Sequence, residues 1–319
     1  MSTITRSLLA AGLIALGLPA VPAHAQLART FVSAAGGNDG NDCSRTTPCR
    51  TFQRAHDNTA GGGEIAVLDP GGYGAVTITK SIAIVNDGVG EAGVLVSGGV
   101  NGITVNAGAA DSVSLHGLTV KGIGFGGGNG IVFINGKSLT VDQCAIRNLT
   151  GGNPIGVGIL FEPGGSSSLA VSNTLVTDNG FIGVEVNPTA ASASVQATFT
   201  RFEAYGNADD GIAIFGSNMT GSLDAIVADS VSANNGGNGF GAASTRAATS
   251  LMLVRSVSTN NFRGLFALGG VTVRVGESML AGNSKTFAQE VGAVVASYGD
   301  NNIDGNADGN PAPAVIPKR

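Results

Sequence analysis

The sequence predicts an all-β chain wound as a parallel β-helix, a solenoid of about nine coils with a short helix capping its N-terminal end. Three observations carry that reading. A seven-residue segment ending in Asn recurs along the chain at steps of 31, 28, 28, 26 and 22 residues. Short runs of alternating apolar and polar residues flank the copies. Gly supplies 51 of 319 residues. It follows no Gly-X-Y period, which excludes collagen, and its density leaves no helical periodicity.

From the N-terminus, Arg6, the apolar run Leu8 to Leu18 and Ala23-His24-Ala25 read as a secretory leader over residues 1–25, cleaved before Gln26. No later segment approaches ~18 uninterrupted apolar residues, the length of a membrane-spanning helix.

Residues 26–62 read as an N-terminal cap. Pro48 opens and Gly61 stops a short helix that presents Phe52 and Ala55 on one side. Such a helix covers the open end of a solenoid, where apolar core and strand edges are otherwise exposed. Cys43 and Cys49, with Pro48 and polar turn formers between them, read as a disulfide formed outside the cytoplasm. A zinc site would need two further ligands, and only His56 and His116 follow the leader. Cys144 falls on the apolar parity of its strand and reads as a small buried hydrophobe.

Residues 63–306 read as the β-helix. The six segments are Asp142–Asn148, Asn173–Asn179, Arg201–Asn207, Asp229–Asn235, Arg255–Asn261 and Glu277–Asn283. Strand patterns such as Leu139-x-Val141 and Leu169-x-Val171 precede them. Gly-led patterns such as Gly183-Val184-Glu185-Val186 and Gly211-Ile212-Ala213-Ile214 follow. This fits three short strands per coil, at roughly 4.8 Å per coil. An inward Asn at a bend bonds the backbone and stacks on the Asn of the next coil. Gly serves bends that need positive φ. In this register Val231 enters the core. The first residues, Asp142, Asn173, Arg201, Asp229, Arg255 and Glu277, form a column on an outer face. Residues 307–319 read as an extended, Pro-rich tail.

Asp69-Pro70-Gly71-Gly72-Tyr73, followed by Val76 to Ile84, resembles the opening coil of the pectate-lyase-like superfamily of right-handed parallel β-helices. Phe31 to Ala34 and Pro48 to Ala55 resemble the entry strand and capping helix of those proteins, and Ser297 to Asn302 a closing coil. The resemblance spans about residues 29 to 306 and implies right-handed winding. It leaves function open, because the superfamily includes lyases, hydrolases, epimerases and adhesins.

Asp209-Asp210-Gly211 is similar to the Asp-Asp segment of polygalacturonase-type glycosidases, and Thr177-Asp178-Asn179-Gly180 to their preceding Asp motif. By that resemblance the carboxyls would act as acid and base at a glycosidic bond. The Gly-His-Gly motif of those enzymes is replaced by Gly237-Asn238-Gly239, and Asp178 and Asp209 fall out of column. In the superfamily's lyases, carboxylates hold Ca2+ and an Arg removes a proton, which makes Arg201 the corresponding candidate. Asp304, Asn306 and Asp308 look like the first half of an oxygen-rich Ca2+ loop, with Val315 where the closing acid would stand.

A net charge of −5 with 17 Lys and Arg carries no footprint for nucleic acid. The chain has no Trp and three Tyr, and its acids are dispersed along the coils. Its loops are short, the main insertion being Gly151 to Gly156, which predicts shallow walls. The expectation is an exported monomer, periplasmic or extracellular, with no resident cofactor. Its role is non-catalytic, binding or structural, with a polysaccharide or cell-surface component as partner. The alternatives are a carbohydrate-active enzyme using Asp178, Asp209, Asp210 and Arg201, and an adhesin-like interaction rod.

Overall fold

The computed structural model describes residues 26–318, so the leader assigned to residues 1–25 lies outside the described residues. The chain forms a parallel β-solenoid with three faces. The first face stacks Ser112–His116, Ser138–Asp142, Ser167–Ser172, Ser194–Thr200 and Ser222–Ala228. The second stacks Ile103–Asn106, Ile131–Asn135, Ile159–Phe161, Val184–Val186 and Ile212–Phe215. The third stacks Leu118–Gly122, Ala145–Arg147, Leu175–Thr177, Glu203–Tyr205 and Val231–Ala233. Each coil runs from the third face to the second and then the first. The winding is the right-handed one that parallel crossovers adopt. Toward the C-terminus, Asn238–Val254 and Arg263–Gly276 each pass through the second and first faces without a break, fusing them into one sheet.

Alternation explains the core. On the first face Leu139, Leu169, Ala197, Ala225 and Leu251 align in register, and all are buried. Burial of each Leu contributes about 1.5–3 kcal/mol. On the second face the rings of Phe133 and Phe161 stack at 4.5 Å. On the third face the inward column is Ile146, Val176, Ala204, Ser232, Ser258 and Leu280, each fully buried. Val231 is half-buried and sits one position off that column, so the expectation that it enters the core is corrected. The inward hydroxyls are satisfied across the coil: Ser232 Oγ donates to Gly239 O and Ser258 Oγ to Gly264 O, both at 2.8 Å.

The Asn column exists and begins one coil later than the repeat implies. Asn207 donates its Nδ2 to Asn235 Oδ1 at 2.9 Å, Asn235 to Asn261 at 3.0 Å, and Asn261 to Asn283 at 3.2 Å. Asn283 continues it to Asn306 at 3.1 Å. In the earlier coil the column position is held by buried Leu149, whose backbone N–H donates to Asn179 Oδ1. Asn148 lies one residue before it, with positive φ at the bend. The matching shift occurs at the other corner, where Gln143, not Asp142, shares the positive φ of Asn173, Arg201, Asp229, Arg255 and Glu277. The glycines that open the second-face strands serve close approach, not positive φ. A Cβ at Gly183 would meet Gly211 O at 2.6 Å.

At the N-terminal end a helix spans Phe52–Asn58, with the Thr51 hydroxyl accepting from Arg54 N–H as N-cap. Phe52 packs its ring on Tyr73 at 4.9 Å. A Cys43–Cys49 disulfide closes the preceding loop, with Cα atoms 4.6 Å apart. Cys144 is free and buried, and burial pushes its thiol up to about 12. At the other end Ala314–Val315 pairs with Ala296 and Ser297, so the tail adds a strand to the last coil. Among the described residues no helix is long and apolar enough to cross a membrane.

Candidate functional site

The outer side of the second face holds a groove with a cavity volume of about 460 Å³. Register sets its floor: Leu160, Glu185, Ala213, Gly241 and Phe266 occupy one outward position in five successive coils. The small Ala213 and Gly241 leave a slot between Glu185 and Phe266. Phe181, Asp209 and Asp210, which precede the strands, and Asn238, which opens one, form one wall. Glu162, Asn187 and Phe215, which end or follow them, form the other. The insertion contributes Asn153 and Pro154 to the rim. Val157 and Ile182 pack with Val132 and Leu160 in a small apolar cluster outside the main core, which fixes the insertion against the face.

The groove is acidic, and the acids differ in setting. Asp210 is 6% exposed. Burial drives its pKa up to about 6, two hydrogen bonds from Asn238 oppose the rise, and the neighbouring Asp209 charge adds to it. Those bonds reach Asp210 Oδ1 from the Asn238 backbone N–H at 2.6 Å and from its side-chain amide at 2.8 Å. Glu185 is raised first by burial and then by the nearby Glu162 charge, while the Asn187 amide, at 3.1 Å, acts the other way. Burial alone raises Glu162. Beyond Asn238, Arg263 Nη1 donates to its Oδ1 at 3.4 Å, and the guanidinium lies over the rings of Phe262 and Phe266.

The structure brings Asp209 and Asp210 together in this groove and places Asp178 and Arg201 elsewhere. Asp178 sits at the bend from the third face to the second, accepting from Thr177 Oγ1 at 2.9 Å and lining a separate open depression with Asn148 and Gly151. Arg201 lies at the corner between the first and third faces, exposed, with Nε donating to Asn173 Oδ1 at 2.6 Å. The oxygens of Asp304, Asn306 and Asp308 close the last coil. Asn306 ends the Asn column, Asp308 accepts from Thr286 N and Oγ1 at 2.8 Å, and Asp304 accepts from Gly305 N–H. Among the described residues no three His, Cys, Asp or Glu side chains converge as a metal site.

Sequence reasoning missed Glu162 and Glu185 and expected a flank with shallow walls. The signal was present in Val184-Glu185-Val186, where a Glu stands at the outward position of a strand. Its neighbours Ala213 and Gly241 become visible only once the strand register is known. A larger cleft of about 600 Å³ lies beneath the C-terminal tail. In it Lys318 pairs with Asp300 at 2.6 Å and Glu277 at 3.4 Å, and Arg274 also lines the cleft.

The chain matches no protein-family model and no curated protein. Its fold is similar to that of pectate lyase Pel9A, with 19% identity over 89% of this chain and 81% of that one, and a TM-score of 0.60. It is similar to a rhamnogalacturonan lyase, at 14% identity over 80% and 76% with a TM-score of 0.52. A GH136 lacto-N-biosidase from Eubacterium ramulus is similar at 9% identity over 91% and 67%, also at 0.52. These likenesses establish a pectate-lyase-like right-handed β-helix.

Proposed function

We propose that this protein is an exported carbohydrate-directed β-helix whose second-face groove binds a glycan chain. The observation that carries the reading is the composition of one concave slot: four carboxyl groups and the rings of Phe181, Phe215 and Phe266. Carboxylates accept from sugar hydroxyls, and phenyl rings pack on the apolar faces of sugar rings. The names of the similar solved structures, a pectate lyase, a rhamnogalacturonan lyase and a lacto-N-biosidase, agree with a carbohydrate role. The Cys43–Cys49 disulfide supports export. Titration calorimetry against a panel of soluble polysaccharides tests the reading. Binding should weaken at least about tenfold in Phe181→Ala/Phe266→Ala. Absence of binding across the panel, or binding that this variant leaves intact, defeats it.

A catalytic reading has one observation in its favour. Asp210, held near a pKa of about 6 by burial, keeps a proton at mildly acidic pH, the state that a general acid at a glycosidic bond requires. Turnover of a bound glycan that disappears in Asp210→Asn, with binding retained, supports it. Binding without turnover leaves the site a receptor.

A further inference from the structure

We infer that the groove takes a glycan free of uronic acids, one whose hydroxyl and amino groups donate to its carboxyls. The inference rests on the groove being a glycan site, and it names the class. Among the described residues Glu162, Glu185, Asp209 and Asp210 line the slot, and no Lys or Arg does. Arg263, beside Asn238, is engaged with that residue and with the faces of Phe262 and Phe266. The two wall amides each turn one N–H toward a groove carboxyl. Asn187 Nδ2 donates to Glu185 Oε1 at 3.1 Å, and Asn238 Nδ2 to Asp210 Oδ1 at 2.8 Å. The charged groups of the groove are therefore all acceptors when ionised, and these ask the ligand for donors.

Asp210 shows the same demand at its most buried point. It is more than nine-tenths buried, and Asn238 occupies its Oδ1. Its Oδ2 faces the floor, where a Cβ on Gly241 would come within 2.9 Å of it. A ligand hydroxyl or ammonium over Gly241 would stand within reach to donate to it. A uronate brings further acceptors and negative charge into a slot of low dielectric, where like charges repel strongly.

The test uses the purified protein at pH 7.5 with cellohexaose, a chitosan hexamer and hexagalacturonate, each titrated in EDTA and again with Ca2+. The expected result is that cellohexaose or the chitosan hexamer binds at least about tenfold tighter than hexagalacturonate, with or without Ca2+. Asp209→Asn/Glu185→Gln should weaken that binding by a similar factor while keeping the wild-type melting transition. Hexagalacturonate binding as tightly or more tightly, and lost in Phe181→Ala/Phe266→Ala, overturns the class assignment and leaves the groove as a glycan site. Binding of no hexamer, or binding indifferent to both sets of variants, overturns the class and the groove reading together.

Discussion

Asp210 and Asn238, 28 residues apart, stand one coil apart, and the backbone N–H and side-chain amide of Asn238 both close on Asp210 Oδ1. The same contact that stitches two coils holds the most buried carboxyl of the groove. Scaffold and site are therefore coupled, and pH should reveal the coupling.

Burial raises the folded-state pKa of Asp210 to about 6, whereas the unfolded chain titrates near ~3.9. Between these values the native state holds more protons than the unfolded one, so stability falls as pH rises. The contribution is complete below about pH 4 and lost through about pH 6, roughly 3 kcal/mol at most. Chemical denaturation from pH 4 to 7 should show this decline, and Asp210→Asn should flatten it. An unchanged slope in the variant would assign the decline to other groups.

Asn235 accepts from the backbone and side chain of Asn207 and donates to Asn261 and Ser232. Asn235→Ala leaves donors buried on one side and an acceptor on the other, and should destabilise by about 2–4 kcal/mol. Thermal unfolding measures it. A loss below about 1 kcal/mol would mean the column is decorative.

The third-face register predicts opposite outcomes for adjacent positions. Ser232→Asp places a charge in the sealed interior and should cost several kcal/mol or prevent folding. Val231→Asp lies on the half-buried outer side and should stay within about 1 kcal/mol. Equal effects would refute the register.

Under native, non-reducing conditions mass spectrometry after alkylation should find the Cys43–Cys49 link and no label on Cys144, which is buried with its thiol pushed up to about 12. Denaturant should expose Cys144 to labelling. Cys43→Ser/Cys49→Ser should lower stability by about 2 kcal/mol, as expected for a short closed loop. Labelling of all three native cysteines would contradict the structure.

The coil count, the parallel stacking and the Asn column were legible because each is written in one coil and repeated in the next, and the disulfide because its two cysteines stand six residues apart across a turn. Alternation tells a strand's inside from its outside using only nearby residues. Legibility failed where the repeat slips. Asn148 satisfies the sequence pattern, yet the bend takes it at positive φ and Leu149 fills the column. Val231 likewise gives its place to Ser232, because a polar residue can face inward when a carbonyl such as Gly239 O stands opposite.

The groove belongs to the tertiary structure. Glu162, Glu185 and Asp210 sit on three different coils and read in sequence as scattered acids. Stacking in register places them side by side, and Ala213 and Gly241 open space between them because small side chains fall at the outward position. Sequence alone determined the solenoid, since each coil's hydrophobic period reports its own strands. Which outward residues meet depends on how many residues each bend consumes, and only the folded stack fixes that number.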